Sequence, residues 1–235
     1  HLEHWERIFN GFGHITSGIT QELIAIVVVV ALMVVYFVFL RKGSGVPKWL
    51  AALSLAMSVV LVAVMAHSYT MAARPAWDAV VWPLSMLLAG CASGALTVMA
   101  LLAAKGGESK LGGLLSTALS AASAVASVAL VAVWQASAGS FADVGYHFDP
   151  TTPTSPLLDV AAVTNFLSGE LAPLVWLGVI VVGALAPVAC AALGQRKGGK
   201  SWLALGAAGA ACAVVGAVCL RVAFYELGLS VFMFY

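Results

Sequence analysis

Only 9% of the 235 residues are charged and 62% are hydrophobic, with a formal net charge of +1 and a mean hydropathy of +1.03. A soluble globule carries about 25% charged residues, so the balance excludes one and indicates a polytopic membrane protein, with no nucleic-acid partner expected. In hydrocarbon only helices or closed barrels satisfy the backbone. Strand alternation is absent, so the expectation is all-α: a single transmembrane helix bundle over residues 1–235.

The chain opens on His1, with no basic leader and no cleavage site, and reads as a piece of a longer protein. Its first stretch, from His1, His4, Arg7 and Asn10 through Ser17 and Thr20 to Glu22, gathers polar groups at a membrane boundary. A carboxylate such as Glu22 in the opening turns of a membrane-spanning helix is costly to desolvate. It is therefore expected to face inward and meet a proton, a cation or a ligand.

Apolar runs of the length a bilayer requires, about 20 residues, lie at about 19–40, 48–67, 79–104, 113–137, 171–194 and 202–225, predicting six helices. Eight of the 11 basic residues (Arg41, Lys42, Lys48, Lys105, Lys110, Arg196, Lys197 and Lys200) fall in alternate connections, which the positive-inside rule assigns to the cytoplasm. The other side receives the N-terminal segment, the 68–78 connection, the 138–170 connection, the C-terminus and nine of the 10 acidic residues. The functional face is thus expected to be extracytoplasmic.

In the long 138–170 connection the run Asp149, Pro150, Thr151, Thr152, Pro153, Thr154, Ser155, Pro156 predicts extended or turned chain, with a short helix near 157–168. Two readings stay open for this loop, a contact for a partner subunit and a solvated cap. The fourth and sixth helices are dense in Gly, Ala and Ser, which let helices approach closely. Cys91, Cys190, Cys212 and Cys219 lie in apolar runs without C-x-x-C spacing and read as small hydrophobes rather than metal ligands or disulfides.

Polar groups also end two other helices on the acidic side: His67, Tyr69, Arg74, Trp77 and Asp78 after the second, Arg221 and Tyr225 in the sixth. A single cavity could collect Glu22, His1, Tyr69, Arg74 and Arg221. Taken singly, Tyr69, Trp77 and Tyr225 also read as interfacial aromatics and Arg74 as a snorkelling anchor. Arg221 has two readings, a buried residue with a partner such as Glu22 or a ligand oxygen, and a snorkelled position at the interface.

These residues resemble a family, the membrane-anchor subunit of dimethyl sulfoxide reductase-type complexes. The resemblance lies in His1-Leu2 followed by Arg7 and Asn10, in Gln21-Glu22-Leu23-Ile24, in Tyr69 with Ala73-Arg74-Pro75-Ala76-Trp77, in Trp82-Pro83-Leu84, and in Arg221 with Phe224-Tyr225. It implies a bundle of eight helices of which this chain supplies the last six. It also implies an iron–sulfur subunit and a molybdopterin catalytic subunit as partners, with menaquinol as the bound substrate, oxidised near the extracytoplasmic face. His1 and Glu22 map onto the family's quinol site, with Arg7 and Asn10 nearby. Two departures stand out: the interval from His1 to Glu22 is one residue shorter than in the family, and Ala217 stands where an acid precedes the terminal Arg.

Quinol oxidation releases two electrons and two protons. Histidine titrates near neutral pH, so His1 and Glu22 suit the role of proton acceptors, with Arg74 or Arg221 holding a quinone oxygen and Trp5, Phe9 or Trp77 flanking the ring. Haem is not expected, because His4, His14 and His67 lie in or beside loops rather than on facing helices. Clusters need grouped cysteine thiolates, so the electron acceptor is expected in a partner. The alternatives are a small-molecule transporter, which places charges and broken helices at mid-membrane, and a purely structural anchor, which has no need of Glu22.

Overall fold

In a computed structural model, the described residues are 15–43, 45–141, 148–149, 152–156 and 160–231. Six of their helices are long and apolar enough to cross a membrane, consistent with an integral membrane protein in a lipid bilayer. The chain divides into two compact units, His1–Thr70 and Met71–Tyr235.

The first unit is a helical hairpin, α1 (Gly18–Arg41) packed on α2 (Lys48–Tyr69). Ser17 stands at the N-cap of α1, and the turn that ends it uses Gly43 and Gly45, both at positive φ. Pro47, whose fixed φ suits a helix start, leads into α2. Large apolar side chains of α1 point outward, Val27, Met33 and Phe37 each being more than half exposed. In hydrocarbon that exposure costs nothing, because lipid tails are as apolar as the side chains.

The second unit is built on four helices: α3 (Val81–Ala104), α4 (Lys110–Ser137), α6 (Leu174–Lys197) and α7 (Ser201–Glu226). They pack in a ring, α3 on α4, α4 on α6, α6 on α7 and α7 on α3. The inward faces follow membrane rather than aqueous logic. On α4, Ser116, Ser120, Ser123 and Ser127 are buried, while Leu114, Val125 and Val128 are exposed. Small residues let the backbones close in, and the tightest approach is Gly183 of α6 against Gly216 of α7. Larger side chains fill the end of the ring near the basic loops, where Leu96, Met99, Ala103, Ala191 and Trp202 form a buried cluster.

The observed helices follow the expected spans with shifts at their ends. The fourth helix starts at Lys110 rather than 113 because the Ser109 hydroxyl accepts the Gly112 N–H at 3.0 Å and caps it early. The fifth starts at Leu174 rather than 171, with Pro173 as its N-cap residue. Beyond α4 the chain makes a 3₁₀ turn, Ala138–Phe141. The Pro-Thr run does more than extend: β1 (Phe148–Asp149) and β2 (Thr152–Pro156) pair antiparallel, Phe148 opposite Pro156 and Asp149 opposite Thr152. The short helix expected near 157–168 is α5 (Val160–Thr164).

The first half of α6, Leu174–Leu185, is wound as a π-helix, and Ala186–Lys197 continues as α. Pro187 has no N–H to give the Gly183 carbonyl four residues back, and the Ala186 N–H bonds the Val181 carbonyl, five back. The stretch is longer than the single-turn π-bulges that are usual. It makes the middle of this helix less uniform than its plain sequence predicts.

Candidate functional site

Of the seven residues singled out in the sequence, His1, Arg7 and Asn10 lie outside the described residues. Glu22 and Tyr69 belong to the hairpin, Arg74 and Arg221 to the four-helix unit.

In the hairpin, α1 begins where α2 ends. A Cβ on Gly18 would stand 2.7 Å from the Ser68 Oγ, so the close approach there requires glycine. Glu22 lies four residues on, which places it on the same helix face, one turn deeper. It is half-buried, as is Tyr69, the last residue of α2. The first turn of α1 holds no acid, and a helix terminus stabilises a carboxylate mainly within that turn. Glu22 thus sits at the membrane boundary beyond most of the help of the helix dipole, at the same end of the hairpin as Tyr69.

In the second unit, Phe224 is the hub. It is fully buried, and its ring stacks on Trp82 (centroids 3.7 Å apart, planes 9° apart) and on Trp77 (4.9 Å, 9°). The last carbonyls of a helix lack intrahelical partners, and the connection before α3 supplies one for α7 and also bonds the chain that follows the helix. The Trp77 Nε1–H donates to the Phe224 carbonyl at 2.6 Å, Arg74 Nη1 donates to the Gly228 carbonyl, and the Val231 N–H donates to the Ala73 carbonyl at 2.8 Å. From the other side, Trp134 of α4 donates its Nε1–H to the Ala76 carbonyl at 3.1 Å. The motif Ala73-Arg74-Pro75-Ala76-Trp77 is therefore a cap on the end of α7. Trp77 is buried within it, which replaces the reading of this residue as an interfacial aromatic. Tyr225, 46% exposed, fits that reading.

Arg74 is half-buried, its Cζ 4.5 Å from the Trp77 ring centroid. Arg221, also half-buried, has its Cζ 4.8 Å from the Tyr225 ring centroid and, beside the edge of the Trp82–Phe224 stack, 5.2 Å and 5.5 Å from those two centroids. Its Nη2 donates to the Tyr225 hydroxyl at 2.7 Å, and Nη1 lies 3.7 Å from the Met86 sulfur. The hydrogen bond to the Tyr225 hydroxyl offsets part of the cost of holding the guanidinium away from water among these rings. The Trp82 Nε1–H is buried without a hydrogen-bond partner. Met86 was not singled out in the sequence, and Phe224 entered there only through the resemblance. Phe224 had a signal, standing three residues after Arg221 and hence on its face of α7.

Structure thus groups Glu22 with Tyr69 in one unit and Arg74 with Arg221 in the other, each pair at a helix end. The cysteines are free thiols, Cys91 exposed and the other three half-buried. Among the described residues no group of three or more His, Cys, Asp or Glu could hold a metal ion. Compared with protein-family models, with curated proteins and with solved structures, the chain finds no match in any of the three.

Proposed function

We propose that the chain is the quinol-oxidising membrane anchor subunit of a molybdopterin oxidoreductase complex, passing electrons to an iron–sulfur subunit on the extracytoplasmic side of a bacterial cytoplasmic membrane. The observation that carries the reading is Glu22, half-buried in the second turn of a membrane-spanning helix. A structural anchor has no use for an acid there, since such a group is costly and marks a ligand or proton path.

The chemistry follows from the stoichiometry. Menaquinol gives up two electrons to the partner's clusters and two protons to groups of this chain, leaving menaquinone. Glu22 and His1 accept the protons, and Tyr69, Arg7 and Asn10 hydrogen-bond the ring oxygens. Arg74 acts chiefly through the cap it builds. Iron–sulfur and molybdopterin chemistry belongs to the partner subunits.

Glu22→Gln in the native membrane complex tests this reading. Menaquinol-driven electron transfer is expected to fall at least about 100-fold, the lower end of what one acid–base group contributes, with the amount of assembled complex unchanged. Normal turnover in the assembled variant would refute the proton-acceptor role. A second reading, small-molecule transport, is favoured by one observation, the π-wound stretch that ends beside Pro187 midway along α6. Irregular helices inside a membrane line binding sites in transporters.

A further inference from the structure

A cavity of about 310 Å³ opens at the other end of the four-helix unit, between the α3–α4 and α6–α7 turns. Its size is at the lower limit of ligand pockets, about 300–1,000 Å³. The wall carries one acid, Glu108, one base, Lys110, and one amide, Gln195. The Thr117 hydroxyl donates to Gln195 Oε1 at 2.7 Å, so the amide oxygen is engaged and the NH₂ group remains as a donor. Glu108 Oε1 lies over the turn between α6 and α7, 3.1 Å from where a Cβ on Gly199 would stand.

The floor is the indole of Trp202, 4% exposed and held between two glycines. A Cβ at Gly194 would lie 2.8 Å from its ring and one at Gly113 3.2 Å. On one side the wall passes into lipid-facing surface, because Leu114 lines the cavity and is 56% exposed, and its neighbour Leu111 is 67% exposed.

We propose that this cavity binds the headgroup of a zwitterionic phospholipid of the phosphatidylethanolamine class. A ligand matching it must present a cation to Glu108, an anion to Lys110, and apolar chains to Leu111 and Leu114. Charge-assisted hydrogen bonds to both groups supply the selectivity. An anionic headgroup such as that of phosphatidylglycerol satisfies Lys110 but offers Glu108 only neutral hydroxyl groups in place of a cation. A soluble zwitterion leaves the leucine side of the mouth unused. The site involves none of the residues of the quinol reading and lies at the opposite end of the four-helix unit from Arg74 and Arg221.

The test is reconstitution of the full chain into nanodiscs of equimolar phosphatidylethanolamine and phosphatidylglycerol with matched acyl chains, followed by mild extraction and mass spectrometry of retained lipid. Wild type is expected to retain phosphatidylethanolamine over phosphatidylglycerol by about tenfold. Glu108→Gln is expected to abolish that preference, and Lys110→Gln to lower retention of both lipids. Both side chains are exposed, so these variants should fold, and unchanged circular dichroism checks it. Equal retention by wild type, preference for phosphatidylglycerol, or a preference that survives Glu108→Gln would overturn the proposal.

Discussion

Gly216→Ala adds a single methyl group at the closest helix crossing. The new Cβ would overlap the Gly183 Cα and stand 2.9 Å from its nitrogen and 3.2 Å from its carbonyl carbon, inside the van der Waals optimum of about 3.5–4.0 Å. All three atoms are backbone, so no side chain can rotate away, and α6 and α7 must separate by on the order of an ångström. Overpacking of this kind costs about 1–3 kcal/mol, and contact with three backbone atoms puts the cost in the upper half of that range. Alanine returns about 0.5–1 kcal/mol of helix propensity, leaving a net loss of about 1–2 kcal/mol, or roughly 5- to 30-fold in the folding equilibrium. Gly90→Ala in α3 is the control, because its Cβ would meet nothing within 4 Å and only the propensity gain of about 0.5–1 kcal/mol applies. Unfolding of both variants in detergent micelles, followed by tryptophan fluorescence, should therefore move in opposite directions. Equal stability of the two variants would refute the argument that this contact sets the distance between α6 and α7.

Two neighbouring tryptophans give a contrast of the same kind. Trp77→Phe removes the hydrogen bond to the Phe224 carbonyl, whereas Trp82→Phe removes an N–H that has no partner. Both lose ring volume, so Trp77→Phe should be the more destabilising by about 1 kcal/mol or more in the same unfolding assay. Equal losses would count against the cap. Arg74→Lys keeps the charge but gives up the planar fork and the stacking on Trp77. It should cost about 1–2 kcal/mol, and a variant as stable as wild type would show that the guanidinium geometry is irrelevant there.

Helix number and rough position were legible because bilayer thickness dictates the length of each apolar run, and that length is a property of sequence alone. The ends were less legible. Lys110 joins α4 because of a hydroxyl one residue earlier, and the second helix runs on through Tyr69. For the candidate site, sequence marked polar residues near helix ends, and the structure places Glu22 and Tyr69 at one end of the hairpin and Arg221 in the last turns of α7. It could not say that Trp77 would be spent on a carbonyl of α7 and Arg74 on one just beyond it, because those carbonyls lie about 150 residues away in the chain.

From composition and run length alone the sequence determined six helices long and apolar enough to cross a membrane among the described residues, with basic residues in alternate turns and an acid near the start of the first. Tertiary structure decided which helices form the ring, that Gly183 meets Gly216, that Phe224 stacks between two tryptophans, and that Glu108, Lys110 and Trp202 share a cavity. The physical reason is that lipid rewards any apolar outward face equally. The choice of inward face falls to small residues and to hydrogen bonds between distant segments, whose partners are defined only once the helices are packed.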